Sequence, residues 1–216
     1  KTQTLFDKKQ LFTFGIYPTD PETGFGYIEL GEEMNSDVFK VKSFVEKPSS
    51  AVAKQFIKSG NYLWNSGIFL GELQVFKKAF QEHANHLILP AVNAVDNAKQ
   101  DLEFIRLDEN YWKKCNSISI DYALIEKMTN LIAIKYRGHW SDVGTWETAW
   151  KESQKKNNNS VSIGNSYEFD NKDCMIVNET NSTLVANGLN NIAIVLTSDA
   201  LLVTEKSKSG KVKDIV

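Results

Sequence analysis

Four short stretches carry residue types that could bind a ligand bearing hydroxyls and phosphate. Glu46-Lys47-Pro48 sets a carboxylate beside an ammonium at the end of a half-apolar run. A carboxylate accepts hydrogen bonds from hydroxyls, and a lysine offers a phosphate a point charge. Neighbouring residues of a strand face opposite sides, so both reach one ligand only where the strand ends. Lys47 precedes proline, which predicts an extended backbone there. Asn65-Ser66-Gly67 interrupts a second apolar run, as a tight turn or a bulge. Asn65 could bond a ligand there or its own backbone. Gly24-Phe25-Gly26 could bring backbone close to a ligand, but it lacks the third glycine and following helix of a dinucleotide fingerprint. Asp142 stands in a turn, His139 to Gly144, after an apolar run. One such carboxylate suits Mg²⁺, which is usually held by one or two carboxylates plus substrate phosphates. Each stretch also has a plain structural reading. The charged pair could be solvated, Asn65 could close an Asx turn, and Asp142 could cap the helix that follows.

Other polar clusters carry less. His83 and His86 are three apart, but no third ligand stands near them, so they read as surface histidines. Asn158, Asn178 and Asn181 each begin an Asn-x-Ser/Thr triplet, a chance match in an Asn-rich stretch without a leader. Trp146 and Trp150 are four apart and share one helix face, so they read as core.

The elements that must hold these residues alternate. Strands are expected at 11–17, from 27, at 38–45, at 62–70 with an interruption at Asn65, and at 131–136. Helices are expected at 51–58 (capped by Ser49 or Ser50 and stopped by Gly60), 72–84, 87–97, 119–128 and 145–156. Such alternation predicts an α/β domain with a mostly parallel, mixed sheet and helices on both faces. After the polar stretch Lys155 to Ser160 come only short β segments spaced by Asn, Gly and Ser. The division is therefore residues 1–156 and 157–216, the second a small β-rich unit. Lys211 to Val216 reads as part of a strand.

Composition limits the function. With 42% hydrophobic residues, 11% aromatics and a net charge of −2, the chain can build a core. It has no basic face for nucleic acid and no apolar run long enough for a membrane span. Two cysteines, Cys115 and Cys174, make no disulfide framework, and with no apolar leader they favour a reducing, cytoplasmic setting. The polar opening without Met suggests a piece of a longer protein.

Taken in order, the motifs are more specific than any one alone. Pro21-Glu-Thr-Gly-Phe-Gly-Tyr-Ile28, Phe44-Val-Glu-Lys-Pro48, Trp64-Asn-Ser-Gly-Ile-Phe69, Ser119-Ile-Asp-Tyr-Ala123 and Trp140-Ser-Asp-Val-Gly-Thr-Trp146 follow one another. The series closely resembles the bacterial mannose-1-phosphate guanylyltransferases over nearly the whole chain. The resemblance implies a Rossmann-like nucleotidyltransferase domain, N-terminally incomplete, and then a left-handed β-helix-like segment. It implies GTP and mannose 1-phosphate as substrates and Mg²⁺ as cofactor. Gly26 would then lie where backbone meets the sugar, Glu46 would bind its hydroxyls, Lys47 its phosphate, and Asn65 would face it. Asp142 would be the metal ligand, and Lys47 and Asp142 the catalytic pair. Asp121 lies in a family motif near the site, with no role assigned.

The departures are as informative. The family's glycine-rich opening loop, with its arginine and later Pro-Lys pair, is missing, as is the early aspartate that would share the metal. His139 stands where a small residue is expected. The cupin-type mannose-6-phosphate isomerase part found in bifunctional members is also missing. The chain therefore resembles the sugar-phosphate half of the catalytic domain, which alone would be inactive. Three other readings stay open. One is the isomerase activity of a longer parent, one a non-catalytic sugar-phosphate-binding fragment, and one a related transferase using UTP or dTTP. A homodimer through exposed β edges is a further option.

Overall fold

In the computed structural model, residues 9–155 and 157–215 are described. The polar opening before Lys9 lies outside them, as do Lys156 and Val216. The chain forms two compact units, Lys1–Gly138 and His139–Val216.

The first unit contains, in order, β1 (Leu11–Ile16), β2 (Tyr27–Asn35), β3 (Val38–Val45), α1 (Ser50–Ser59), β4 (Tyr62–Leu70), α2 (Leu73–His83) and α3 (Ile88–Asp96). There follow β5 (Lys99–Asp101), β6 (Phe104–Arg106), α4 (Glu109–Trp112), α5 (Ile120–Ala123) and β7 (Leu131–Tyr136). Five strands close into a barrel in the order β1-β4-β2-β3-β7. The α/β class and the mixed sheet agree with the sequence. The expected parallel majority does not, because only β1 and β7 run parallel. The other four pairings, β1/β4, β2/β3, β2/β4 and β3/β7, are antiparallel. For β2 and β3 the reason is local: only Ser36 and Asp37 separate them, with Asp37 at φ 65, and a two-residue turn can join only antiparallel strands.

Helix α1 forms where its signals stand. Ser49 accepts from the Val52 amide, and Gly60 ends the helix at φ 70, a left-handed conformation that glycine adopts freely. Its Phe56 ring stacks on Tyr62 with centroids 4.0 Å apart. Leu11 and Leu131 of the barrel pack with Val75 and Ala79 of α2 and with Leu124 and Ile125. Burial of each such large side chain contributes roughly 1.5–3 kcal/mol. The helix expected over 119–128 is capped by Ser119 but breaks at Leu124, φ −125 and ψ −56, into α5 and a 3₁₀ turn over Ile125–Lys127. Ala123, Leu124 and Ile125 are all buried in one cluster. Three successive residues of a straight helix would spread over about 200° and could not all face it. The strand β4 runs through Asn65-Ser66-Gly67 as a bulge, since Thr13 to Gly15 of β1 faces Asn65 to Phe69.

The second unit holds α6 (Trp146–Glu152), β8 (Val161–Gly164), β9 (Ser166–Phe169), β10 (Met175–Asn178), β11 (Leu184–Asn187), β12 (Ile192–Leu196) and β13 (Leu201–Glu205). β8, β10 and β12 stack in parallel, β9 and β11 form a second parallel pair, and β13 closes antiparallel on β12. This is the β-rich unit the sequence predicts, and its parallel coils are of the β-helix kind. Its boundary differs from the expected one after Lys156. Trp146, Ala149 and Trp150 pack on Val161, Met175, Val177, Ala193 and Val195, so α6 belongs with the coils. The expected strand at 211–216 is instead a 3₁₀ stretch over Lys206–Asp214.

Candidate active site

Strand register brings three distant motifs to one rung. Tyr27 pairs with Val45 on one side and with Trp64 on the other. One step further along the three strands lie Gly26, Glu46 and Asn65. The Asn65 amide donates to the Gly26 carbonyl at 2.7 Å. Gly26 is required by space: a Cβ there would lie 2.4 Å from Glu46 Oε2 and 2.8 Å from the Phe44 ring. Any side chain would therefore displace the carboxylate.

Glu46 is nearly buried, its side chain 5% exposed, while that of Lys47 is 51% exposed and contacts Glu46 Oε1. The Glu46 carboxylate holds the Lys47 ammonium above the usual lysine range, and Tyr122 and Asp121 add to this while burial opposes it. Lys47 is not extended, as its place before Pro48 predicts; it has φ 47. Two bonds turn the chain here. The Lys47 amide donates to the Phe25 carbonyl at 3.2 Å, and the Glu46 amide donates to Glu126 Oε1 at 2.9 Å. The left-handed turn ends strand alternation, so the two neighbouring side chains converge instead of opposing each other.

Asn65 is buried and its side chain is held at both ends. Thr13 Oγ1 donates to Asn65 Oδ1 at 2.8 Å, and Asn65 Nδ2 donates to Asp121 Oδ1 at 3.1 Å. Thr13 is fully buried and is not among the residues the sequence singles out. Its only signal is a lone hydroxyl inside an apolar strand. Glu126 is visible in sequence only as a neighbour in the 119–128 motif. The arrangement offers hydrogen-bond acceptors, one amide donor and a cation that can exchange its carboxylate for a phosphate.

Asp142 lies in the second unit and is exposed, beside Val143 at φ 51. It does not cap α6. Thr145 does, accepting from the Thr148 amide while Thr148 Oγ1 accepts from the Thr145 amide. A Cβ on Gly144 would lie 2.4 Å from Asp142 Oδ2, so the glycine leaves this carboxylate its space. A single open carboxylate fits one ligand position of a hard cation whose other oxygens come from water and phosphate. Among the described residues, no three His, Cys, Asp or Glu side chains gather to hold a metal ion. No helix among the described residues is long and apolar enough to cross a membrane.

A cavity of about 860 Å³ lies elsewhere in the first unit, lined by Phe76, Phe80, Leu87, Val92, Trp112 and Ile118 among others. It shares no residue with the rung at Gly26, Glu46 and Asn65. Its lining is mainly apolar, with Lys77, Gln81 and Cys115 among its walls, whereas the rung sets a carboxylate, an ammonium and an amide close together.

The nucleotidyl transferase family model matches residues 3–159, and the chain belongs to that family. Members generally use a divalent metal. The chain is 39% identical over 207 residues to a mannose-1-phosphate guanylyltransferase of Salmonella muenchen, covering 96% of this chain and 44% of that protein. It is 34% identical over 213 residues to the alginate biosynthesis protein AlgA of Pseudomonas putida, covering 97% and 44%. The chain thus spans less than half the length of these curated relatives. A solved structure described as a mannose-1-phosphate geranyltransferase from Thermus thermophilus superposes with a TM-score of 0.76 at 25% identity, covering 98% of this chain and 61% of that one. One described as a mannose-6-phosphate isomerase from Helicobacter pylori gives 0.58 at 32% identity, covering 64% and 55%.

Proposed function

We propose that the chain carries the sugar-phosphate site of a mannose-1-phosphate guanylyltransferase. The observation that carries this reading is the convergence of Gly26, Glu46, Lys47 and Asn65 on one rung, in a chain whose relatives bear that name. In the reaction, a phosphate oxygen of mannose 1-phosphate attacks the α-phosphorus of GTP and the bond to pyrophosphate breaks. The nucleophile is already anionic, so no general base is needed. Positioning and charge neutralisation supply the catalysis. Glu46 accepts from sugar hydroxyls and Asn65 fixes the ring. Lys47 leaves Glu46 for the sugar phosphate and offsets repulsion between the two anions. Asp142 would hold Mg²⁺, which when bound supplies Lewis-acid charge stabilisation.

The test is pyrophosphate release from GTP, mannose 1-phosphate and Mg²⁺, run on this chain and on the longest chain its gene encodes. Release that requires both substrates supports the reading. No release by either chain overturns it, and isomerisation of mannose 6-phosphate by the longer chain would then favour the isomerase. Substitution of UTP or dTTP for GTP reads the base preference.

A further inference from the structure

The side-chain amide of Asn65 is bound on both sides by residues from two distant segments. Thr13 lies 52 residues before it on β1, and Asp121 lies 56 residues after it on α5. The Thr13 hydroxyl also approaches the Ile68 carbonyl at 3.2 Å, so it spans the bulge that presents Asn65. An asparagine amide is chemically two-faced, with an acceptor oxygen and a donor nitrogen that can swap by a half-turn about χ2. Here a swap would set Nδ2 against the Thr13 hydroxyl and Oδ1 against the Asp121 carboxylate. The second pairing would be acceptor against acceptor, so Asp121 selects one orientation. In that orientation one Nδ2 hydrogen serves Asp121 and the second remains to meet a ligand.

We propose that Thr13 and Asp121 are positioning residues that lock Asn65 as a hydrogen-bond donor toward an oxygen of the bound sugar phosphate. The inference rests on the reading of this rung as the sugar-phosphate site. It divides the work there: Glu46 accepts from the ligand, Asn65 donates to it, and the donor's polarity is set by residues that do not touch the ligand. It also gives Asp121 a task distinct from its charge. An asparagine at 121 would remove the charge that Lys47 feels and, by offering Nδ2 as well as Oδ1, would admit both orientations of Asn65.

The experiment uses the longest chain the gene encodes, with kinetics for mannose 1-phosphate at saturating GTP and Mg²⁺. Asp121→Ala and Thr13→Val should each raise KM by about 10-fold or more, the effect of one lost hydrogen bond to a buried polar group, with a smaller change in kcat. Thr13→Ser should keep KM within about threefold, since it keeps the hydroxyl, whereas Asp121→Asn should leave KM between wild type and Asp121→Ala, since it keeps a bond but not the acceptor-only selection. In an Asn65→Ala background, Asp121→Ala should add no further rise, because a residue acting through Asn65 has nothing left to act on. Additive losses, or an Asp121→Asn variant as good as wild type, would overturn the lock in favour of a general structural or charge role. A second readout needs no substrate. With ¹⁵N-asparagine labelling, the Asn65 side-chain amide signals (assigned by their loss in Asn65→Ala) should shift in Asp121→Ala and stay near their wild-type positions in Thr13→Ser. If the wild type turns over no mannose 1-phosphate, the substrate reading fails while this signal still reports the lock. If turnover is normal and the signal does not move, the lock fails and the substrate reading stands.

Discussion

The two units bury polar groups in opposite ways. In the first unit the bonds bridge great sequence distances: Thr13 to Asn65 spans 52 residues, Asn65 to Asp121 spans 56, and Glu46 to Glu126 spans 80. In the second unit most join one coil to the next, with the Glu147 amide to Ser209 Oγ, across 62 residues, an exception that ties α6 to the end of the chain. Asn171 Nδ2 donates to Ala186 O across 15 residues, Asn178 Nδ2 donates to Asn165 O across 13, and the Cys174 amide donates to Ser160 Oγ across 14. Both arrangements give these buried side chains hydrogen-bond partners. Short-range bonding repeats with the coil and holds its turns. Long-range bonding gathers single side chains at one rung, at the loop-closure cost of ordering several segments at once. That difference separates a polar core that is architecture from one that is a site.

The largest expected effect tests the architectural half. Asn178 donates to Asn165 O and Ser182 O and accepts from the Thr180 amide and hydroxyl. Asn178→Ala should destabilise the second unit by about 3 kcal/mol or more, since several buried groups lose partners at once. Its urea midpoint should fall while KM for mannose 1-phosphate stays within about twofold; an unmoved midpoint would break the distinction. Next comes Asp142→Asn, which should lower kcat by about 100-fold through lost metal affinity, with little change in stability because the side chain is exposed. Excess Mg²⁺ should recover part of the loss, and wild-type kinetics would refute a metal role for Asp142. Lys47→Ala should raise KM for mannose 1-phosphate about tenfold or more, as expected for a lost charge-assisted contact. Lys47 is half exposed, but its loss leaves the nearly buried Glu46 carboxylate without its cation, so stability should fall by about 1–2 kcal/mol. A lysine that instead cost stability and not affinity would place Glu46-Lys47 on the architectural side.

This division also explains what is legible in the sequence. Short-range signals are readable: Ser49 and Gly60 around α1, the apolar run of β7, the Asn-rich spacing of the coils. The motif residues Gly26, Glu46 and Asn65 are visible as candidates, but the shared rung depends on the pairing of Tyr27 with both Val45 and Trp64. No local pattern encodes that. Alternation of strand and helix points to parallel strands, and the two-residue turn at Ser36-Asp37 overrides it for β2 and β3. The proline rule predicts an extended Lys47 because it is local, whereas the bonds that turn this residue come from Phe25 and Glu126. A polar linker marks the boundary expected from sequence, although Trp146 and Trp150 pack on strands far downstream. The family match ends at residue 159, close to that linker, so sequence similarity and packing divide the chain at different points.

The smallest expected effect concerns a group that fits neither pattern. Lys206 is 2% exposed in the second unit, its ammonium over the Trp150 ring at 3.0 Å from the centroid. Burial lowers its pKa, and Lys155 adds to this, while Asp173, Cys174 and Glu147 pull the other way. The ring face favours the cation and offsets part of the burial cost. Because the folded pKa lies below the unfolded one, the cost of burying the charge is present in full at pH values below the folded pKa. As pH rises between the folded value and the ordinary lysine range, the folded chain releases its proton first. The unfolded state then binds more protons, so stability increases with pH across that window. Lys42 and Lys208, whose ion pairs raise their pKa, contribute in the opposite sense, losing stability as pH rises through their folded values. The wild-type profile alone therefore mixes both signs, and the informative quantity is the difference between wild type and Lys206→Met. That variant keeps a long apolar stem and removes the titration. Wild type should gain stability relative to Lys206→Met as pH rises toward the ordinary lysine range. A difference that stays flat with pH would mean that the Trp150 ring fully offsets burial. Lys206 would then belong with the satisfied polar groups of the coils.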